Sequence, residues 1–573
     1  MIKRILYFAC LIAMPLHAGY QFKSKQKAID ALQIAASEYK LLVASLPDST
    51  SFPRRTKSAT DETLVKVNAG DWTSGFFPGA LWYLYQFTGD EFFLRNALKW
   101  TGHIKTQTKN TGIGHDLGFI FNCSFGNAYR IYGHPDYPAV MLEAGKTLSD
   151  RFSTIVGCTK SWNSGSWPSY SNNVGSWKFP VIIDNMMNLE LLLKMTQFNN
   201  DSLYHRQALQ HASTTTVAHI RPDSSTYHVV DFDPLTGNIL ARGTRQGFSD
   251  ASCWSRGQAW GIYGFSMMYK YSKDTAHLNT SKRLLGYYLK NKPADHIPFW
   301  DYQAPDIPNT YRDASAASIT CAALIDLYNS TSDTAYLVYA EQIIDELTKP
   351  FYMNTNSTNA HLLLRHSTGG TNGYEADVAQ TYSDYYFIEA LVKYLQLNPD
   401  FEFPNLPPRM HKTNLPDAIE NQPYSANLEA FDFEGGNLIF SSNNLPQGWS
   451  LTTDGELSAT PSTVGNITLD VLVSDGKSAT PAKVKLAVKT ATTAISSSQN
   501  ENIICNRCGN VLIITNRDSQ ILKIEIFTLT GIKLIENDLI QDTKTITLPE
   551  IFKHQFLIVK VSGEDKMLLR KLI

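Results

Sequence analysis

Two stretches with the same pattern decide the fold that we expect: Trp72-Thr-Ser-Gly75-Phe-Phe-Pro-Gly79 and Trp254-Ser-Arg-Gly257-Gln-Ala-Trp-Gly261. Both follow W-x-x-G-x-x-x-G, and each opens an apolar segment with helical spacing, as an internal repeat does. Small residues at this spacing allow helices to approach one another closely. The repeated pattern therefore predicts helices of one inner layer.

Helical spacing of apolar residues extends on both sides of these stretches, from about residue 24 to 396, between connectors rich in Gly, Pro, Asn and Asp. Candidate helices start near residues 24, 74, 91, 118, 136, 184, 202, 255, 275, 312, 333 and 377. Those near 91, 136, 202, 275 and 333 carry charged faces, whereas those near 74, 118, 184, 255 and 312 are rich in Gly, Ala and apolar residues. This alternation predicts an outer ring of helices around an inner ring. We therefore expect an all-α (α/α)6 toroid.

Composition restricts the function classes. The chain has 573 residues, 43% of them hydrophobic and 18% charged, which is enough for two to four folded domains. Its 51 Lys plus Arg and 53 Asp plus Glu give a net charge of −2, which provides no field for gathering nucleic acid. Nine of the ten Trp precede residue 301, which indicates a ring-binding pocket in the N-terminal part.

The N-terminus predicts export. Lys3 and Arg4 precede an apolar run that ends at Leu16, and the small residue Ala18 suits signal peptidase cleavage. The run is too short to span a bilayer, and a buried first helix is the alternative. We expect a signal peptide over residues 1–18 and a secreted or cell-surface protein, with no transmembrane segment.

The composition and the spacing of apolar residues change after Pro399. A Pro-rich connector follows the predicted catalytic domain, residues 19–400, and leads to short runs with β-type alternation. These predict a small, Ig-like β-sandwich over residues 413–490. A Ser-rich linker then leads to a third, all-β unit over residues 501–573, in which residues 521–531 alternate as a strand does. The chain is therefore predicted to be multidomain.

Two acidic residues lie at the starts of predicted inner helices: Asp116 in Gly114-His-Asp-Leu-Gly118 and Asp184 in Val181-Ile-Ile-Asp-Asn185. Inner helices of a toroid run parallel, so their N-terminal ends gather around one mouth. Asp is also a preferred helix N-cap, which is the alternative explanation for each. The apolar residues before Asp184 would raise its pKa toward that of a general acid. We predict that Asp184 and Asp116 are catalytic.

Polar and aromatic residues near the same helix starts predict a sugar site. Indole rings offer apolar faces to a pyranose, while Arg, His and Gln can fix a carboxylate or hydroxyl. The alternative is that Trp260 belongs to the core and that Arg256 pairs with an acid at the surface. The predicted substrate-binding residues are Trp72, His115, His228, Gln246, Arg256 and Trp260.

The sequence has no HExxH motif, Walker loop or GxGxxG after a strand. We expect no metal and no cofactor.

Several of these motifs occur together in one known family. The runs HDLGF, IIDNMMNLELL, TYHVVDFDPLTG, TRQGFSDASCWSRGQAWGIYGF and YRDASAASI resemble the unsaturated glucuronyl hydrolases of glycoside hydrolase family 88. The resemblance covers about residues 24–396 and implies the (α/α)6 fold. It implies a substrate with a 4,5-unsaturated uronic acid at the non-reducing end, as polysaccharide lyases leave it.

The resemblance also implies the chemistry. These enzymes hydrate the enol-ether C4=C5 bond: Asp184 would protonate C4 and then assist water at C5, and the hemiketal would open spontaneously. Asp116 matches the second family acid, which would hold ring hydroxyls and support Asp184. The six residues predicted to bind substrate match family contact positions.

Substrate preference is left open by the sequence. In some relatives a loop with Ser and Lys receives a sulfate. The candidate stretch Arg365-His-Ser-Thr-Gly-Gly-Thr-Asn372 has Ser367 and Thr368 but Asn372 where Lys is wanted. Either Arg365 substitutes for the Lys or unsulfated substrates are preferred.

The last unit resembles the C-terminal sorting domain of the type IX secretion system of Bacteroidetes, with its strand at residues 521–531 and a basic final strand, MLLRKLI. This implies the type IX secretion machinery as a partner. Two alternatives to the main function stay open: an unsaturated rhamnogalacturonyl hydrolase, and a non-catalytic sugar-binding surface protein whose β modules do the binding.

Overall fold

The computed structural model describes residues 20–163, 177–356, 358–370 and 375–490, and seven segments beyond them. These segments are 503–508, 511–516, 522–528, 533–539, 542–548, 557–562 and 567–572. The predicted signal peptide, residues 1–18, lies outside the described residues.

Helices dominate the chain up to residue 397. The described residues form α1 (Lys25–Ser45), α2 (Phe76–Thr88), α3 (Glu91–Ile104), α4 (Leu117–Phe121), α5 (Asn127–Tyr132), α6 (Tyr137–Ser149), α7 (Asn185–Asn199), α8 (Ser202–Ala218), α9 (Ser255–Ser272), α10 (Thr275–Asn291), α11 (Ala314–Thr331), α12 (Ala335–Leu347) and α13 (Thr381–Leu397). A π-helical turn, Asn122–Gly126, joins α4 to α5 without interruption. Each of the twelve predicted starts lies within about four residues of an observed start.

Six of these helices form a closed inner ring. Around the ring, α2 contacts the α4–α5 helix, which contacts α7; α7 contacts α9, α9 contacts α11, α11 contacts α13, and α13 contacts α2. The outer layer consists of α1, α3, α6, α8, α10 and α12, each packed against inner helices. Helix α2 is buried from Phe76 to Gln86, whereas α10 buries only one face. The predicted alternation of inner and outer helices is confirmed.

The glycines of the first repeated stretch lie where helices approach closely. A Cβ added to Gly75 would lie 2.4 Å from the carbonyl oxygen of Ile120, and one added to Gly79 would lie 2.7 Å from the carbonyl oxygen of Cys123. In the second stretch a Cβ on Gly261 would meet only side-chain methyl groups, the nearest at 3.0 Å. The need for glycine is therefore strict at α2 and milder at α9.

Short antiparallel strands occur in the connections between the helices. They are β1 (Phe52–Thr56) with β2 (Leu64–Val67), β3 (Phe152–Ser153) with β4 (Cys158–Thr159), and a three-stranded sheet of β5 (Pro180–Ile182), β6 (Val229–Phe232) and β7 (Ile239–Gly243) in that order. The sheet β5-β6-β7 borders the N-terminal end of α7, where Asp184 lies.

The contacts divide the chain into two compact units. The first reaches His411 and includes 429–440 and 472–481; the second comprises 412–428, 441–471 and the chain from residue 482. The region after residue 400 is mostly β: β8 (Arg409–Met410), β9 (Ala418–Ile419), β10 (Tyr424–Asn427), β11 (Ala430–Phe431), β12 (Ile439–Ser442), β13 (Trp449–Leu451), β14 (Glu456–Ala459), β15 (Gly465–Ser474) and β16 (Ala479–Lys489). Strand β14 pairs with both β10 and β13, and β16 pairs in parallel with β9.

The final segments form two antiparallel sheets. Their strands are β17 (Ile503–Cys508), β18 (Val511–Asn516), β19 (Leu522–Thr528), β20 (Lys533–Leu539), β21 (Asp542–Thr547), β22 (Leu557–Ser562) and β23 (Met567–Leu572). One sheet has the order β17-β18-β21 and the other β20-β19-β22-β23. Ile524 and Ile526 of β19 are buried against Val559 and Val561 of β22, so a strand lies at Leu522–Thr528, within the stretch predicted at 521–531. No helix in the part of the chain that the structure describes is long and apolar enough to cross a membrane.

Candidate active site

Buried polar atoms without a hydrogen-bond partner gather where the inner helices begin. A native interior satisfies almost all such atoms, so their concentration marks a place that a ligand or solvent completes. They include Asp184 Oδ2, Asp313 Oδ2, His115 Nε2, His228 Nε2, Arg256 Nε and Trp260 Nε1.

Asp184 joins the end of β5 to the start of α7. Its backbone is helical, at φ −53° and ψ −28°, and its side chain makes no capping hydrogen bond, so it does not serve the helix as an N-cap. Only 8% of the residue is exposed. Burial raises the pKa of its carboxyl from 3.8 to about 7, although the charge of Arg256 opposes the shift. A carboxyl with this pKa can carry a proton at neutral pH and give it away.

The register of β5 and β6 brings His228 beside Asp184. Ile182 pairs with Val229, and the backbone N–H of Ile183 donates to the carbonyl of His228 at 3.0 Å, so the next residue on each strand lies at the same end of the sheet. The Nε2 atom of His228 lies 3.9 Å from Oδ2 of Asp184.

The tautomer of His228 follows from its other nitrogen. The backbone N–H groups of Arg245 and Gln246 donate to Nδ1 at 3.1 and 3.3 Å, so the proton of the neutral ring is on Nε2. Burial, with the nearby charge of Arg256, lowers the pKa of His228 well below 6.5. The indole of Trp254 packs on the ring at 4.5 Å between centroids. His228 therefore presents an N–H donor toward Asp184 and the cleft.

Gly114, a glycine with positive φ, precedes His115 and Asp116 and sets their position. Gly114 has φ +79°, and a Cβ there would lie 2.5 Å from the carbonyl of Ser161, so only glycine fits. His115 is fully buried, its Nδ1 lies 3.2 Å from the amide nitrogen of Asn188, and burial lowers its pKa to about 3. Its Nε2 lies 3.4 Å from Oδ1 of Asp116.

Asp116 is electrostatically coupled to Asp184. Burial, followed by the negative charges of Asp184 and Asp71, raises the pKa of Asp116 well above 3.8. The side chain keeps 17% of its surface exposed, so it remains accessible from the cleft. The charge of an ionised Asp184 therefore favours a retained proton on Asp116.

Arg256 is a buried cation without an anion. It is 1% exposed, and none of the carboxylates in the described residues lies within the 4.0 Å of an ion pair with it. Its donors reach the Tyr382 hydroxyl at 2.6 Å, the Ser315 hydroxyl at 3.5 Å and the Gly369 carbonyl at 3.4 Å. The guanidinium also packs on the ring of Trp254, 4.7 Å from its centroid. The predicted alternative of a surface ion pair is wrong. Burial opposes the charged form of Arg256, but Tyr382 and the charges of Asp313, Glu375 and Asp184 outweigh burial and raise its pKa, so the guanidinium stays charged and an anionic ligand can make the direct ion pair that these residues do not make.

Aromatic rings line the same end of the toroid. Trp72 is half-buried and lies 5.1 Å from Tyr382 and 6.1 Å from Phe119, between ring centroids. Trp260 is fully buried and lies 5.0 Å from Phe119. Trp72 can therefore offer a ring face to a ligand, whereas Trp260 has only its unpartnered N–H to offer.

Gln246 meets Arg256 at one backbone oxygen. Its Nε2 donates to the carbonyl of Gly369 at 2.8 Å, the same oxygen that faces Arg256. Gln246 keeps part of its surface exposed, so a ligand in the cleft can reach it.

In the stretch considered for sulfate binding, the polar side chains bond to other groups of the protein. Ser367 and Thr368 are fully buried; the Ser367 hydroxyl bonds Ser383 at 2.6 Å and the Thr368 hydroxyl accepts from a backbone N–H. Arg365 bonds Thr358 and lies 4.0 Å from Glu62. Asn372 lies outside the described residues.

The structure thus brings all eight sequence-predicted site residues to one end of the inner ring, although their roles remain predictions. Sequence reasoning missed Tyr382 and Gly369 as partners of Arg256, because neither stands in a motif of its own. Trp254, whose indole the sequence places with those of Trp72 and Trp260, packs on His228 and Arg256. No group of three or more His, Cys, Asp and Glu suited to a metal occurs among the residues that the structure describes.

Comparison with known proteins gives a consistent result. The model of Glycosyl Hydrolase Family 88 matches residues 49–396, more than half of the chain. An unsaturated glucuronyl hydrolase of Formosa agariphila is 40% identical over 349 residues, which are 60% of this chain and 84% of that protein. A solved unsaturated glucuronyl hydrolase specific for heparin superposes with a TM-score of 0.61 at 35% identity, over 65% of this chain and 97% of that one. The enzyme from Bacillus sp. GL1, responsible for glycosaminoglycan degradation, gives 0.59 at 30% identity, over 65% and 97%. The chain therefore belongs to Glycosyl Hydrolase Family 88 and is a glycosidase.

Proposed function

We propose that the protein releases 4,5-unsaturated uronic acid from the non-reducing end of lyase-generated oligosaccharides. One observation carries this proposal: the buried, unpaired guanidinium of Arg256 lies in the same cleft as a carboxyl, Asp184, whose pKa is about 7. A uronate substrate can make the direct ion pair that Arg256 lacks, and an enol ether needs the proton that Asp184 holds. The family relatives are unsaturated glucuronyl hydrolases, which agrees with this assignment.

The reaction is a hydration of the C4=C5 bond. Asp184 transfers its proton to C4, and positive charge develops at C5 as in an oxocarbenium ion. The resulting carboxylate stabilises that charge and takes a proton from the water that attacks C5. The hemiketal at C5 then opens, and the glycosidic link breaks without further catalysis. The separation of the two carboxyls does not decide between retention and inversion, because no displacement occurs at the anomeric carbon.

The neighbours of Asp184 tune this proton transfer. The Nε2–H of His228, 3.9 Å from Oδ2, favours the carboxylate that forms after the proton has left. Asp116, whose pKa is raised by burial and by the charge of Asp184, would keep its own proton beside the Asp184 carboxylate, and its exposed surface would bind ring hydroxyls. Arg256, with Gln246, would hold the uronate carboxylate, and Trp72 would pack on the ring.

The test is turnover of unsaturated disaccharides from glycosaminoglycan, pectin and algal polysaccharides by the mature chain. Loss of the ultraviolet absorbance of the conjugated C=C–carboxylate is expected with at least one of them. A folded protein that consumes none and instead binds sugar through residues 413–490 would support the sugar-binding alternative. Preference for the pectin-derived substrate would support the rhamnogalacturonyl alternative.

We infer a preference for unsulfated substrates. Ser367 and Thr368 are committed to internal hydrogen bonds, and Arg365 faces Glu62, so the stretch offers a sulfate no free cation among its described residues. Unsulfated unsaturated chondroitin disaccharide should therefore have a higher kcat/KM than its sulfated forms. A loss of turnover confined to the sulfated substrates in Arg365→Ala, or faster turnover of a sulfated form by the wild type, would contradict this preference.

We also propose that the chain is exported and sorted at the cell surface. The charged start and apolar run support a signal peptide over residues 1–18, and the Ig-like domain at 413–490 would act as a spacer. The segment at 501–573, with its paired strands β19 and β22, would be read by the type IX secretion machinery. Deletion of residues 501–573 should retain the enzyme inside the cell envelope; unchanged export would contradict this role.

A further inference from the structure

The segment from Leu362 to Gly370 runs beside the groups that would hold the substrate's carboxylate. Its last described residues include Gly369, whose carbonyl oxygen accepts Nε2 of Gln246 at 2.8 Å and faces Nη2 of Arg256 at 3.4 Å. One backbone oxygen therefore connects both side chains to this segment. A displacement of the segment would move that oxygen and change the orientation of the Gln246 amide and the Arg256 guanidinium.

The other end of the segment is held by a carboxylate in the first turn of α13. Asp384 is fully buried, and its Oδ1 accepts the backbone N–H of Leu364 at 2.9 Å. Its Oδ2 accepts the backbone N–H of Leu363 at 2.8 Å and the hydroxyl of Tyr39 at 3.1 Å. Two consecutive backbone groups thus bind the two oxygens of one carboxyl group. Burial raises the pKa of Asp384 to about 7, and these hydrogen bonds oppose that shift because they favour its carboxylate form.

Weaker contacts hold the middle of the segment. The Ser367 hydroxyl bonds that of Ser383 at 2.6 Å, and the backbone N–H of Thr368 donates to Oδ1 of Asp313 at 3.3 Å. Ser383 and Asp384 are neighbours at the start of α13, so this one helix end contacts the segment at two places. The position of Gly369 is therefore set from α13 together with the backbone bridge between Ser367 and Val378 and the bond from its own N–H to the Glu375 carbonyl at 2.8 Å.

We propose that Asp384 is a positioning residue that fixes the Gly369 carbonyl and, through it, the orientation of Gln246 and Arg256 toward the substrate. This inference rests on the proposed function, because it assigns those two side chains to the uronate. An amide at position 384 offers one acceptor oxygen and turns an N–H2 group toward a backbone N–H. The segment must then shift at Leu363 or Leu364, while the groups that transfer protons stay in place.

The experiment compares Asp384→Asn with wild type in the full-length mature chain, using initial rates on the best unsaturated disaccharide. We expect KM to rise about 10-fold with kcat nearly unchanged, since the lost interactions bind substrate and transition state alike. Glu389→Gln is the matched control: Glu389 is 7% exposed, lies on the same helix, and accepts the Tyr83 hydroxyl at 2.9 Å away from the segment. It should lower the melting temperature without changing KM.

A second variant protects the test against misfolding of the first. Ser383→Ala removes only the hydroxyl that bonds Ser367 and should raise KM about 3-fold. If Asp384→Asn folds and its KM is unchanged, the positioning role is overturned. If Asp384→Asn does not fold, an unchanged KM in Ser383→Ala overturns it. In both cases turnover by the wild type upholds the proposed function. Equal KM changes in Asp384→Asn and Glu389→Gln would also overturn it. Absence of wild-type turnover would overturn the proposed function and this role with it.

Discussion

Replacement of Asp184 by Asn is predicted to abolish turnover and, at the same time, to stabilise the protein. Burial raises the pKa of this carboxyl from 3.8 to about 7, so the folded state binds a proton more tightly than the unfolded state. A group with a raised pKa contributes its stability below its unfolded pKa and loses it as pH rises through the folded pKa. The native protein therefore carries a cost at neutral pH that the neutral amide does not carry.

The magnitude follows from the shift. At about 1.36 kcal/mol per pKa unit, a shift of roughly 3 units makes Asp184→Asn more stable by about 4 kcal/mol at pH 7, as an upper bound. At pH 4, where the folded state is protonated and the unfolded carboxyl is close to its own pKa, the gain falls to about 0.6 kcal/mol. Urea unfolding followed by Trp fluorescence measures this in the catalytic unit, because nine of the ten Trp precede residue 301.

Glu190→Gln is the matched control on the same helix. Burial opposes ionisation of Glu190, but Lys194 and its other partners outweigh burial and lower its pKa to about 2. Its contribution is present above its unfolded pKa, so the substitution should destabilise the protein at pH 7. A loss of stability in Asp184→Asn at pH 7, or a gain that is equal at pH 4 and pH 7, would refute the reasoning.

Four further predictions follow from the site and the fold. Arg256→Lys should raise KM about 100-fold in initial-rate assays, because one ammonium cannot reach Tyr382 and Gly369 together and also bind a carboxylate; unchanged KM would contradict the assignment. His228→Gln should lower kcat about 10- to 100-fold, because the N–H aimed at Asp184 is lost, and an unaltered pH–rate profile would argue against that role. Burial lowers the pKa of His211 to about 3, so the stability that its neutral ring contributes is present above pH 6.5 and is lost as pH falls. The free energy of unfolding of the wild type should therefore drop between pH 7 and pH 5, and this drop should be smaller by about 2 kcal/mol in His211→Gln. An equal drop in the two proteins would be evidence against it. Gly75→Ala should cost more than about 2 kcal/mol, because its Cβ would lie 2.4 Å from the Ile120 carbonyl, whereas Gly102→Ala, with nothing within 4 Å, should be neutral or slightly stabilising in the same urea titration.

The helical architecture could be predicted because helices of different layers differ in composition. The outer helix α10 buries one face, whereas the inner helix α11 is buried nearly all round, and the sequence records this difference directly. The N-terminal position of Asp184 on an inner helix was also visible, since Val181-Ile-Ile precedes it. Helix period and apolar context are local properties, and the sequence reports them well.

The contacts between distant segments could not be predicted in the same way. The bond between Gln246 and the Gly369 carbonyl joins residues 123 positions apart, and the register of β5 with β6 decides that His228 faces Asp184. Nor did the sequence reveal that Arg256 is buried without a carboxylate partner, because burial of a charge depends on the whole ring of helices. These features depend on tertiary packing, which no local pattern specifies.

The order of two events tests the central claim most directly: loss of the conjugated C=C–carboxylate absorbance and release of the reducing-end sugar from an unsaturated disaccharide. Hydration at C4=C5 by Asp184 predicts that the absorbance falls before or together with sugar release, that one deuterium enters C4 in D2O, and that Asp184→Asn shows neither event. Sugar release while the absorbance persists would mean displacement at the anomeric carbon and would contradict the account.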